Sequence, residues 1–365
     1  MKLAILGSRG IPANHGGFET FAERLSLYLM SMGWEVTVYC QVNGNGKIYE
    51  NRWNDIRLVH IPVRQAGAIG TVVFDLKSTF HSLREDGLKL TLGYNTAIIF
   101  FLYRLKGRKN FINMDGIEWR RPKWSFFERA WLYLNEQLAC YLGSHLIADN
   151  PHIKAHLLKR VSESKISMIP YGADRIDNAD EAVLVKFGLK PYGYAIVIAR
   201  PEPDNSILEI VSAFSKKPRN VKLVLLGHYD IERKAYHRQV CSAAGIEVVF
   251  LGAIYDKEIV GALRYFALLY VHGHQVGGTN PSLVEAMGAG APVLAYDNCF
   301  NRWVSGAEAR FFRNEQECAD QFDMLLLDTA ELEVMRRASR KRHAEMFTWD
   351  KVLKDYEVLL NGCNR

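Results

Sequence analysis

The chain is predicted to be an α/β protein of two doubly wound parallel-sheet domains, and three observations predict it. The apolar run Lys2–Leu6 is followed by a glycine-rich turn, a helix-period segment and a second apolar run at 35–40. Together they make one βαβ unit, the building block of parallel sheets. After a polar, irregular stretch at 173–193, an apolar run at 194–199 opens a second βα series. The chain has 365 residues, whereas single cores stop growing near ~250–300.

Taken in order, the first helix is expected over 18–32, with Phe21, Leu25, Tyr28, Leu29 and Met32 on one face and Gly33 stopping it. Strands follow at 56–61, 97–102, 109–113, His145–Ala148 and 165–169, with a long aromatic helix over 125–142. The second series places strands at 194–199, Lys222–Leu226, 247–251, 268–272 and 292–296, and the chain from Glu315 onward reads as helical. The expected domains are 1–175 and 190–340, with 341–365 forming a C-terminal helix that packs back toward the first domain. Two such sheets in one chain leave a cleft, and ligands of open α/β sheets sit at the carboxyl ends of strands.

Composition narrows the function classes. Hydrophobic residues make up 48% and charged residues 24%, a globular balance with no low-complexity tract. The opening residues are read as a buried strand rather than a signal peptide, because Ser8, Arg9, Asn14 and His15 interrupt the apolar run. The longest apolar stretch, 97–103, falls far short of the ~20 residues of a membrane-spanning helix. The six cysteines, Cys40, Cys140, Cys241, Cys299, Cys318 and Cys363, show neither C-x-x-C pairs nor metal-ligand spacing. A reducing cytosol with no metal site is therefore expected. The net charge of +6 suits an anionic ligand or surface without choosing among them.

Two glycine-rich segments carry the chemistry. Between the first strand and helix lie Gly7-Ser8-Arg9-Gly10-Ile11-Pro12 and Asn14-His15-Gly16-Gly17-Phe18-Glu19-Thr20. Glycine there allows close backbone approach, and helix N-terminal amides attract phosphate; a tight strand-to-helix connection accounts for the same residues. No acidic residue closes the second strand, which weighs against a dinucleotide site. The second segment runs from His272 to Val293: a strand feeds a loop containing His274, Gly277, Gly278 and Thr279. Asn280 can cap, Pro281 suits the first helical position, Ser282 follows, and Glu285 falls about one turn inside the helix. A carboxylate so placed can accept hydrogen bonds from sugar or ribose hydroxyls while the loop amides face phosphates.

This second segment resembles family 4 glycosyltransferases, whose second domain carries Glu-x7-Glu followed by Ala-Met-x-x-Gly-x-Pro-Val. Glu285 matches the second Glu, and Gly277 stands where the first is expected. Gly-Gly-Thr-Asn-Pro-Ser-Leu-Val-Glu-Ala-Met, with the N-terminal Gly-Ser-Arg-Gly-Ile-Pro and Gly-Gly-Phe-Glu-Thr, is similar to a bacterial subgroup that includes rhamnosyltransferases of capsule and O-antigen assembly. Met168–Asp174 looks like the interdomain segment of the family, and Phe347-Thr348-Trp349-Asp350 like the start of its closing helix. The resemblance implies a GT-B fold of two Rossmann-like domains and metal-independent transfer, with retention, from a nucleotide diphosphate sugar, best matched by dTDP-rhamnose. The implied acceptor is a saccharide, in this subgroup usually linked to a polyprenyl diphosphate.

By resemblance, Arg200 holds the donor diphosphate with Gly16, Gly17, His274 and the segment Gly278, Thr279, Asn280, Pro281, Ser282 and Glu285. The partner lysine of the family is absent from Pro203-Asp204-Asn205-Ser206. Asp115 stands nearest to the family histidine beside the reacting sugar and is taken with Glu285 as a catalytic candidate, although a strand-end turn with Gly116 explains it equally. Glu19, Glu118, Arg120 and Arg121 are placed on the acceptor or membrane side. Cations alternate with aromatics from Trp119 to Trp131, a composition suited to an anionic lipid interface or to a half-buried helix with snorkelling cations, with no nucleic-acid motif beside it. No cofactor is expected. Two rival readings stay open: a nucleotide-sugar 2-epimerase on the same fold, and a catalytically silent glycan-assembly protein.

Overall fold

A computed structural model describes residues 1–13, 16–65 and 67–362. Asn14 and His15 of the first glycine-rich segment, and Cys363, lie outside the described residues. The chain divides into two units: Met1–Arg120, Trp124–Pro170 and the chain from Asp350 form the first, and Arg121–Lys123 with Tyr171–Trp349 form the second.

The first unit runs β1 (Lys2–Leu6), α1 (Gly17–Ser31), β2 (Glu35–Asn43), β3 (Tyr49–Trp53), β4 (Ile56–Val63), α2 (Gly67–Ser82), β5 (Leu88–Leu92), α3 (Phe101–Leu105), β6 (Asn110–Asn113), α4 (Phe126–Leu142), β7 (His145–Ala148), α5 (Pro151–Leu157) and β8 (Ile166–Met168). Its eight strands are ordered β3-β4-β2-β1-β5-β6-β7-β8, parallel except for the antiparallel β3–β4 pair. In register, Ile5 lies opposite Val38 on one side and Leu90 on the other.

The strand expected at 97–102 is not one. Ala97–Phe100 is a 3-10 turn leading into α3, with Ile98 and Phe101 exposed. The sheet position is taken instead by β5, all five residues of which are buried. Lys89 in its middle breaks the apolar run; its ammonium reaches the carbonyls of Glu85 and Asp86, and burial pushes it down to about 8. Helix starts follow side-chain capping: Ser125 and Glu128 form a reciprocal capping box for α4, and Asn150 with Pro151 opens α5.

The second unit continues with α6 (Ala182–Val185), β9 (Tyr194–Ile198), α7 (Ile207–Ser215), β10 (Lys222–Leu226), α8 (Ala235–Ala243), β11 (Val248–Gly252), α9 (Lys257–Tyr265), β12 (Leu269–His272), α10 (Pro281–Gly288), β13 (Val293–Tyr296), α11 (Cys299–Ser305), β14 (Arg310–Phe312), α12 (Glu315–Leu325) and α13 (Thr329–Met346). Its all-parallel sheet is ordered β11-β10-β9-β12-β13-β14. Successive β9 residues enter opposite cores: Tyr194 and Ile196 join one cluster, Ala195 and Val197 the other, as a sheet covered on both faces requires. The final helix, α14 (Trp349–Gly362), groups with the first unit from Asp350; there the Tyr356 hydroxyl accepts from Asn113 Nδ2 and its ring lies against Phe21.

Candidate active site

In the second sheet β9 is flanked by β10 and β12, so the strand order reverses beside it, where open α/β sheets form a crevice at their carboxyl ends. Arg200 follows β9, and its carbonyl accepts from Asn205 Nδ2 at 2.8 Å. Gly273 follows β12, and a Cβ there would lie 2.1 Å from the Asn205 carbonyl oxygen, so only glycine lets the two strand ends close up. His274 comes next, its carbonyl accepting from Asn298 Nδ2 at 3.0 Å and Asn301 Nδ2 at 2.9 Å. Its ring stacks on His272, centroids 4.3 Å apart and planes 8° apart. Burial first, then the charges of Arg121 and Arg200, push His274 down to about 3. At neutral pH it is an uncharged ring, not the cation suggested by its place beside a diphosphate.

Arg121, expected on the acceptor or membrane side, pairs its guanidinium with Asp204 at 2.9 Å, the side chains only 12% and 2% exposed. Asp204 belongs to the segment from which the family lysine is missing. Arg121 thus brings a second cation to the site from distant sequence, which local spacing could not reveal.

Glu285 projects from α10, where Asn280 occupies the N-cap without a side-chain cap and Pro281 begins the helix. Its carboxylate is paired with Arg264 of α9, a partner with no sequence signal of its own. Gly277 has φ +156°, and a Cβ on it would meet the Asn280 amide at 2.9 Å, a conformational reason for glycine here. Gly278 and Thr279 are buried, while Ser282 is half-buried. Beside Arg200 a cavity of about 450 Å³, lined by Glu202, His228, Asp230 and Tyr255, extends along the ends of β9, β10 and β11. That volume suits a small-molecule ligand.

In the first unit Gly16, at φ +97°, precedes α1, which Gly17 begins. Glu19 turns back over this loop: its Oε1 accepts from the Arg9 amide at 2.8 Å, so the turn already carries an anion. Asp115 sits just beyond β6 at φ +52°, a strained value for a non-glycine residue, and its amide donates to Asn113 Oδ1. The Glu118 amide donates to the Tyr94 hydroxyl, and Arg120 stacks over the Trp119 ring at 5.2 Å. Trp119 is half-buried and donates Nε1–H to buried Glu136. Among the described residues, no group of three or more His, Cys, Asp or Glu is placed to hold a metal ion.

Comparison with known proteins follows this division. Residues 186–342 match the family described as glycosyl transferases group 1, and residues 1–174 match a domain of unknown function, DUF1972. No curated protein matches the chain. Among solved structures, sucrose-phosphate synthase from Thermosynechococcus elongatus is similar at TM-score 0.81 and 17% identity, covering 99% of this chain and 98% of that one. Anabaena HepE in complex with UDP and glucose matches at TM-score 0.75 and 15% identity, covering 99% and 100%. An α,α-trehalose-phosphate synthase (UDP-forming) from Burkholderia vietnamiensis matches at 0.72 and 11%, covering 99% and 100%. The fold is that of GT-B glycosyltransferases: two parallel-sheet Rossmann-like domains.

Proposed function

We propose, from the premise that residues 186–342 form a glycosyl transferases group 1 domain and the chain is therefore a hexosyltransferase, that it moves a sugar from a nucleotide diphosphate donor onto a saccharide of a growing surface glycan. The observation that carries this reading is the pair of guanidinium groups, Arg121 and Arg200, whose charges both bear on uncharged His274, together with the cavity that Arg200 lines at the strand ends. Arginine pairs phosphate oxygens in bidentate fashion, and two of them offset the charge that builds on a departing diphosphate. The nucleoside fills the cavity next to Arg200. Glu285, oriented by Arg264, accepts hydrogen bonds from donor hydroxyls. Transfer proceeds with retention and without metal or cofactor, so activity persists in EDTA, and Asp115 faces the reacting sugar.

The donor is dTDP-rhamnose, supported by the subgroup motifs around Gly277–Met287. A UDP-glucose donor is the second reading, because HepE, a structural relative, was solved with UDP and glucose. Thermal stabilisation and transfer in competition decide between them. dTDP-rhamnose should stabilise the protein more than dTDP alone and more than UDP-glucose; preference for UDP-glucose transfers the assignment to the second reading. Donor converted without any acceptor points to the epimerase instead, and binding without turnover to a silent protein.

The acceptor is a saccharide on a polyprenyl diphosphate, and the first unit seats on the inner face of an anionic membrane from the cytoplasm. The support lies on α4, where Phe127, Trp131, Leu134 and Tyr141 are exposed at helical spacing next to exposed Phe101 and Leu105 of α3. Arg104 stacks over the Tyr141 ring at 5.9 Å, and Arg120 and Arg129 are exposed nearby. These cations would oppose themselves in a symmetric pair of chains, whereas anionic headgroups complement them.

A further inference from the structure

A second cavity, of about 190 Å³, lies wholly within the first unit, apart from the residues assigned to the donor. Ser8 lines it with only 3% of its surface exposed, yet its hydroxyl has no hydrogen-bond partner among the described residues. Asp75 also lines it. Its Oδ2 accepts from Thr96 Oγ1 at 2.7 Å. Gln41 and Asn95 add side-chain amides, and Phe18 and Phe74 add apolar ring surface.

The lining selects a ligand class. Two carboxylates, Glu19 and Asp75, stand against one cation, Arg9, whose side chain is exposed, so phosphate and carboxylate ligands are disfavoured. Hydroxyl groups satisfy the lining, because each can donate to a carboxylate oxygen and accept from an amide or the Ser8 hydroxyl. The aromatic rings match the C–H face of a pyranose. The volume lies below the roughly 300–1,000 Å³ of sites for drug-sized ligands, so it takes one ring and not a nucleotide.

We propose that this cavity binds a single uncharged sugar ring, the terminal residue of the saccharide acceptor, and rejects acidic sugars. This rests on the glycosyltransferase reading and specifies its acceptor. Burial pushes Asp75 up to about 6, so at pH 7.5 the carboxylate is ionised and ready to accept from a hydroxyl.

Saturation-transfer NMR on the full chain at pH 7.5, using methyl rhamnoside, methyl glucoside and methyl glucuronide as probes, tests the proposal. The neutral glycosides should receive saturation and the glucuronide should not. Asp75→Asn, which is isosteric, and Ser8→Ala should each weaken the neutral glycosides, by about tenfold or more for the charged partner, with dTDP and UDP binding unchanged. Thermal melts establish that both variants fold, and either alone suffices. Equal binding to wild type and variants, preference for the glucuronide, or no signal from any neutral glycoside overturns the assignment. Glycoside binding without any nucleotide binding would instead overturn the glycosyltransferase reading and leave the cavity standing.

Discussion

At the residue scale, the charges of Arg121 and Arg200 both bear on His274. Burial first, and then the charges of Arg121 and Arg200, depress His274; a bound diphosphate would offset both cations. Arg121→Ala, Arg200→Ala and Glu285→Gln are therefore each expected to lower transfer by ~10²–10³ without unfolding the chain, the usual effect of losing one preorganised charge contact. His274→Gln keeps a hydrogen-bonding group and should lose much less. Steady-state rates at saturating donor check this, and near-wild-type turnover by Arg121→Ala would return that residue to a purely structural pairing with Asp204. Arg121 also shows what local spacing conceals: between Arg120 and Pro122 it reads as one of a run of surface cations, and only its contact with Asp204 separates it from them.

At the element scale, α4 carries buried Leu132, Asn135, Glu136, Ala139 and Cys140 on one side and exposed Phe127, Trp131, Leu134 and Tyr141 on another. Sequence marks both sides as apolar and cannot say which faces water, because either could fill a core. Phe127 is 82% and Tyr141 70% exposed, an apolar stripe with nothing among the described residues over it. Phe127→Ser with Trp131→Ser should cut sedimentation with vesicles containing anionic lipid severalfold while leaving nucleotide binding intact, and retention of wild type should fall as salt rises. Equal retention of the double variant, or a wild-type dimer that the variant abolishes, would assign the stripe to another occupant.

At the scale of the whole molecule, the depressed histidines predict how stability follows pH. His272 is buried with neither ring nitrogen bonded among the described residues, and burial holds it well below its usual range, as it does His274. The unfolded chain takes up protons near pH 6.5 that the native second unit refuses, so stability is fully present above that pH and is lost as pH falls below it. His272→Phe fills the same space without a titrating group, and its melting temperature should fall less than that of wild type between pH 7.5 and 5.5, by on the order of a few °C. Calorimetry at the two pH values tests this; parallel curves would place the acid sensitivity elsewhere.

The amino-acid sequence by itself determined the two α/β sheets, most of their strands and the loop that precedes Glu285, because apolar period and glycine placement are local properties of the chain. It misassigned 97–102 and passed over β5, since a lysine whose ammonium is satisfied by backbone carbonyls looks polar in sequence and is buried in the fold. Only the tertiary structure decided that Arg121 joins Arg200 beside His274, that Arg264 holds Glu285, and that Ser8 and Asp75 share a cavity. Each of those pairings joins residues tens of positions apart, and charge, burial and hydrogen-bond satisfaction between them exist only once the strands have brought them together.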